Sequence, residues 1–145
     1  MSKVFKIIID IILVLAIILL IGYFVLRVTN KIRIYSVETG SMEDKIHRGD
    51  YILLYRKTNY HVGDVITYKV DNYFITHRIV KIDGNKITTK GDANNLEDEE
   101  IDISQVEGRV IYTGGILNII INYKFVIVAF MVGLYLLSCY FEKEK

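Results

Sequence analysis

Two apolar runs joined by Asp71-Asn72 decide the fold: Val65-Ile66-Thr67-Tyr68-Lys69-Val70, then Tyr73-Phe74-Ile75-Thr76-His77-Arg78-Ile79-Val80-Lys81-Ile82. Their β-branched and aromatic residues suit a pleated, half-buried surface. Asp and Asn tolerate the positive φ that a tight hairpin turn demands. Asp83-Gly84-Asn85 repeats that turn chemistry and leads into a third run, Lys86–Lys90. Working outward, Arg33–Glu38, Tyr51–Arg56 and Val106–Tyr112 read as further strands. Gly49-Asp50 and Gly63-Asp64 each introduce an apolar strand, and no helical periodicity of useful length interrupts the region. The expectation is a mainly β chain whose residues 29–114 form a small antiparallel, barrel-like domain. At about 80 residues such a domain buries only a modest core.

The two ends read differently. The chain is 52% hydrophobic, and the excess is concentrated outside the β region. Ile11 to Leu26 contains no charged residue, and with Ile7, Ile8 and Ile9 it reaches the roughly 20 apolar residues that a bilayer-spanning helix needs. Lys3 and Lys6 precede it as they would in a secretory leader. Its apolar core exceeds the ~7–15 residues of such leaders and no A-x-A site follows, so a retained anchor is expected. A second apolar run, Ile116 to Phe141, is broken only by Asn118, Asn122 and Lys124, with Tyr123, Tyr135 and Tyr140 at interfacial positions. The predicted organisation is a terminal segment 1–6, a span over 7–28, the β domain over 29–114, a span over 116–141 and a tail over 142–145. Two spans put both termini on one side. Lys3, Lys6, Lys143 and Lys145 mark that side, while Arg27, Lys31 and Arg33 flank the other, so charge does not decide the orientation.

Composition narrows the function classes. A formal net charge of +1 gives no electrostatic case for nucleic acid. Cys139 is the only cysteine, which excludes an intrachain disulfide and a cysteine metal site. The three histidines lack metal-ligand spacing, and Asp92-Ala93-Asn94 fails as a calcium loop because Leu96 takes the next ligand position and no glycine follows. No metal or cofactor is expected.

What remains is nucleophile chemistry. Thr39-Gly40-Ser41-Met42 follows the first apolar segment closely. A serine that cleaves an amide needs a base within hydrogen-bond reach and a third group that orients the base. His47 and His61 fall in turns. His77 lies inside a strand, on the same face as Ile75 and Ile79 by period-two alternation, where a core histidine bonded to a backbone carbonyl is the bland alternative. Lys90-Gly91-Asp92-Ala93-Asn94-Asn95, followed by Asp98, joins two predicted strands and carries acids that could meet an imidazole. The candidate set is Ser41, His77 and one of Asp92 or Asp98.

Taken together these residues resemble the type I signal peptidases, in the Ser–His branch shared by archaea, spore-forming bacteria and the endoplasmic reticulum. Thr39-Gly40-Ser41-Met42 resembles the nucleophile box, and Gly49-Asp50 with Gly63-Asp64-Val65-Ile66 the next turns. Thr76-His77-Arg78-Ile79-Val80 is similar to the box that carries His where typical bacterial enzymes carry Lys. Lys90 to Asn95 matches the third box and Gly108-Arg109-Val110 the fourth. Four such boxes in order between two apolar segments make the signal specific.

The resemblance implies Ser41 as nucleophile, His77 as general base, and both Asp92 and Asp98 as candidate orienting acids. Thr39 and the Ser41 N–H would stabilise the oxyanion, and Met42 is the one suggested substrate contact. It implies removal of N-terminal signal peptides after small residues at −1 and −3, without cofactor, at a bilayer surface, with accessory secretion proteins as further partners. It also places the β domain outside the cytoplasm, in the cell membrane or, in a eukaryote, the endoplasmic reticulum membrane. Asp44 stands where the family usually has proline. Two rival readings make different predictions. A membrane-tethered β domain that only binds or scaffolds a partner tolerates loss of Ser41 and His77. A Ser–Lys self-cleaving protease uses Lys81 or Lys90 as base.

Overall fold

The computed structural model describes residues 3–143; Met1-Ser2 of the terminal segment and Glu144-Lys145 of the tail, with the Lys145 charge, lie outside the described residues. The chain divides into two compact units, residues 29–118 and a helical unit from the two ends.

Residues 29–118 form one seven-stranded sheet with every pairing antiparallel, in the order β1-β2-β7-β3-β4-β5-β6. The strands are β1 (Ile32–Ser36), β2 (Tyr51–Tyr55), β3 (Val65–Val70), β4 (Tyr73–Asp83), β5 (Lys86–Lys90), β6 (Ile101–Asp102) and β7 (Val106–Thr113). The six expected strands are all present, two of them over the anticipated residues and the others within two residues at each end. The seventh, β6, is two residues long, too short to show alternation, and a 3-10 turn over Ile103–Gln105 follows it. The hairpin turns carry the positive φ their residues suggested, at Asp71 (52°) and Gly84 (57°).

Register shifts between Leu53 and Leu54, Thr67 and Tyr68, and Ile79 and Lys81 bend the sheet where bulges increase local twist. The curl is enough for Tyr35 on β1 to meet Phe74 on β4 with ring centroids 4.7 Å apart, although three strands separate β1 from β4 in the sheet. Two apolar clusters fill the inside. Ile66, Tyr68, Ile79, Ile87, Ile101 and Val106 form one; Met42, Ile46, Ile52 and Leu54 form the other.

In the helical unit α1 runs Lys3–Val28, and its Lys6–Val28 stretch is long and apolar enough to cross a membrane. Among the described residues it is the one single helix that is. The expected second span is not continuous. It is split at Tyr123 into α2 (Gly115–Asn122) and α3 (Lys124–Lys143), which meet at a 72° bend and would cross only as a broken pair. Asn122, a residue that favours helix ends over helix interiors, marks the break. The Asp10 carboxylate accepts hydrogen bonds from Lys6 Nζ (2.9 Å) and from Ser138 Oγ on α3 (2.7 Å), which brings the start of α1 beside the end of α3.

Candidate active site

Ser41 sits in a loop that leaves β1 and returns to β2. The base of this loop is closed by hydrogen bonds from Val37 N–H to Asp50 O and from Gly49 N–H to Val37 O, both 2.8 Å. Its acid is used locally. Asp50 accepts the His47 N–H at 2.9 Å and the Asn118 amide at 2.8 Å, and Asn118 accepts the Tyr51 N–H at 2.8 Å. The next turn repeats the pattern: His61 N–H donates to Asp64 at 3.1 Å, with Gly63, like Gly49, at positive φ. Within the loop the chain turns over Met42, whose carbonyl accepts the Lys45 and Ile46 N–H groups.

Met42, the suggested substrate contact, lies against the core. It is 2% exposed and packs on Ile46, Ile52 and Leu54, because an unbranched apolar side chain beside the nucleophile is what pins the loop to the core. The Glu43–Asp44 peptide bond is cis.

β4 delivers the imidazole. The alternation that puts His77 on the face of Ile75 and Ile79 turns it inward, where it is 7% exposed. His77 Nε2 lies 3.0 Å from Ser41 Oγ, and Nδ1 lies 2.5 Å from Asp98 Oδ2. A carboxylate on Nδ1 makes that nitrogen the donor and leaves Nε2 free to accept the serine hydroxyl proton. Hydroxyl, imidazole and carboxylate are therefore in line, with residues 36 and 57 positions apart in sequence brought together by the β3–β4–β5 arrangement.

The two candidate acids part company. Asp98 reaches the imidazole. The Asp92 carboxylate accepts from Arg78, from Nε at 2.8 Å and from a terminal nitrogen at 2.6 Å, with Lys45 Nζ at 3.7 Å, while the Asp92 N–H donates to Met42 Sδ at 3.4 Å. The Arg78 guanidinium holds the Asp92 carboxyl below the usual carboxylate range, while Arg78 itself also donates to Gly63 O at 2.7 Å. The loop bearing Asp92 touches Ser41 through its backbone. Ala93 N–H donates to Ser41 O at 2.9 Å, and a Cβ on Gly91 would stand 2.7 Å from that same oxygen.

Sequence reasoning missed two further groups. Thr89 Oγ1 lies 2.7 Å from Asp98 Oδ2 and Tyr68 Oη 3.2 Å from it, with 3.0 Å between the two hydroxyls. Burial pushes the Tyr68 phenol up to about 12, and the neighbouring Asp98 charge acts the same way. The available signal was weak. Both fall on strands whose inward face is otherwise aliphatic, so a polar group there needed a partner.

A groove of about 570 Å³ runs between the chain leaving β1 and the first half of β4, lined among others by Glu38, Thr39, Phe74, Ile75 and Thr76. Thr39 is two residues before Ser41 and Thr76 one before His77, so the groove borders that pair. Among the described residues the Ser41 N–H has no hydrogen-bond acceptor, and no three His, Cys, Asp or Glu side chains come together as a metal site.

A curled antiparallel sheet that aligns a serine, an imidazole and a carboxylate has the layout of a serine-peptidase domain. The chain belongs to the Peptidase S24-like family, whose model matches residues 19–111. Its relatives are catalytic subunits of signal peptidase complexes, in agreement with the resemblance to type I signal peptidases. The Plasmodium falciparum subunit SEC11 is 38% identical over 69 residues, covering 43% of this chain and 38% of the relative. The Rattus norvegicus subunit SEC11C is 33% identical over 129 residues, covering 72% and 66%. The Homo sapiens SEC11C is 36% identical over 74 residues, covering 45% and 38%. The chain thus spans about half the length of most of the curated relatives it matches.

Proposed function

We propose that the chain is a membrane-bound serine endopeptidase that removes N-terminal signal peptides from preproteins. The observation that carries this reading is the 3.0 Å approach of Ser41 Oγ to His77 Nε2, with Asp98 on the opposite nitrogen. Ser41 attacks the scissile carbonyl and passes its proton to His77, whose developing positive charge Asp98 stabilises. His77 then protonates the leaving amine, and a water activated by the same imidazole hydrolyses the acyl-enzyme. The Ser41 N–H and the Thr39 hydroxyl take the oxyanion. Asp92 acts at one remove, by holding the 91–94 loop against the nucleophile.

The groove beside Thr39 and Thr76 suits an extended peptide, with backbone from the β1 exit and from β4 on its two sides. Small side chains at the −1 and −3 positions are the expected preference. α1 anchors the domain, and the bent α2–α3 pair returns the chain across the bilayer, leaving both termini in the cytoplasm and the β domain outside it. Accessory secretion proteins are the expected partners, since the relatives carry the name of a complex subunit.

The test is cleavage of a preprotein by the full chain in liposomes. Wild type is expected to release the signal peptide and Ser41→Ala to leave the substrate intact. Cleavage by neither protein overturns the reading and favours a tethered binding domain, and equal cleavage by both removes Ser41 as the nucleophile. Protease accessibility of the β domain in sealed vesicles checks the orientation.

A further inference from the structure

We propose that Thr89 and Tyr68 are positioning residues that act on the reaction through Asp98, a step that rests on the Ser41–His77 reading above. Three inward-facing groups on three neighbouring strands converge on one carboxylate oxygen. Tyr68 comes from β3, His77 from β4 and Thr89 from β5, and all three address Asp98 Oδ2, at 3.2, 2.5 and 2.7 Å. Tyr68 is 1% and Thr89 0% exposed, so water cannot replace either hydroxyl. The Thr89 backbone holds the same residue from the other side, its carbonyl accepting the Asp98 N–H at 2.8 Å.

Proton counting shows what the arrangement does. Thr89 and Tyr68 bring one hydroxyl hydrogen each to a triangle with three oxygen–oxygen contacts. The Asp98 carboxylate contributes no hydrogen and can accept from both hydroxyls as well as from His77 Nδ1. Burial keeps the phenol protonated through any working pH, so Tyr68 remains a donor. The two hydroxyls therefore fix which Asp98 oxygen faces His77 and in which rotamer, before substrate arrives. That fixes the imidazole tautomer in turn, with hydrogen on Nδ1 and a lone pair aimed at Ser41. Pre-set geometry of this kind is what a general base needs, because small misplacements cost large rate factors. The Ile66, Ile79 and Ile87 side chains pack beneath the network, so it sits on a rigid floor.

A residue that acts through Asp98 loses its effect once Asp98 no longer acts. The experiment is a cycle on the full chain in liposomes with a preprotein substrate: Thr89→Val, Asp98→Asn and the double variant, with Tyr68→Phe and Thr89→Ser alongside. Thr89→Val is expected to lower kcat by about 10- to 100-fold with KM within about twofold, and Thr89→Ser to regain most of it. Added to Asp98→Asn, Thr89→Val is expected to cost less than about twofold more. Tyr68→Phe follows the same pattern with a smaller loss, in keeping with its longer contact. The His77 Nδ1 proton resonance reports the network directly, and Thr89→Val is expected to shift or broaden it. Full additivity in the double variant, failure of Thr89→Ser to rescue, or an unchanged proton resonance overturns the proposal. If Ser41→Ala still cleaves, the catalytic reading fails instead, and the proton resonance continues to answer for the network alone.

Discussion

Arg78 grips Asp92 through two hydrogen bonds, one position along β4 from the histidine that faces Ser41. One strand thus supplies the inward base and, on its other face, the clamp for the loop whose Ala93 N–H holds the Ser41 carbonyl. Replacing Arg78 by Met leaves the fold but frees the loop. Preprotein cleavage is expected to fall by about 10- to 100-fold, the size of effect that follows a small displacement of reacting groups. Activity within twofold of wild type would show that the clamp is ornamental.

The same pair gives an acid signature. Because Asp92 is more acidic folded than unfolded, its contribution is fully present above the ordinary carboxylate value of about 3.9. It is lost as pH falls through the lower folded value. Thermal unfolding of wild type and Asp92→Asn is therefore expected to differ most at neutral pH and to converge as the pH is lowered. A gap that stays constant into strong acid would contradict the ion pair.

On the proposed reading, His77 is the base that takes the Ser41 proton. His77→Ala is expected to abolish preprotein cleavage while Lys81→Ala, an exposed position on β4, leaves it unchanged. The opposite pattern would hand the role of base to lysine.

Thr39 borders the groove two residues before the nucleophile. Thr39→Ala is expected to lower kcat by about 10²–10³-fold, as loss of a single oxyanion donor does, and Thr39→Ser to restore it. The Ser41 N–H remains as the second donor, so activity is reduced rather than lost. Equal kcat for Thr39→Ala and wild type would remove the hydroxyl from the mechanism.

Gly91 is tested by size alone. A methyl group there meets the Ser41 carbonyl oxygen at 2.7 Å and the Asn94 side-chain amide nitrogen at 2.7 Å. Gly91→Ala is expected to lower kcat by about tenfold or more through a displaced nucleophile loop, with circular dichroism unchanged. Wild-type rates would show that the loop gives way without consequence.

Most of the sheet was legible because period-two alternation and Asx–Gly turns are local properties that each strand carries in its own residues. The same alternation turned His77 inward, and the structure agrees. The choice between Asp92 and Asp98 was not legible. Both follow β5 within a few residues, and what separates them is the guanidinium of Arg78, which reaches one and not the other across 14 residues of chain. The burial of Met42 was not legible for a related reason, since adjacency to Ser41 does not say how deeply a side chain sits. The break at Tyr123 escaped although Asn122 and Lys124 flank it, because hydropathy records composition rather than direction.

The loop that bears Ser41 is fastened by Val37 and Asp50 at its base and by Ala93 at its crest, and Ser41 and His77 stand within hydrogen-bond reach. On the proposed reading, this fastening keeps the serine presented to its base, so the loop works as a fixed stage to which an extended peptide must come.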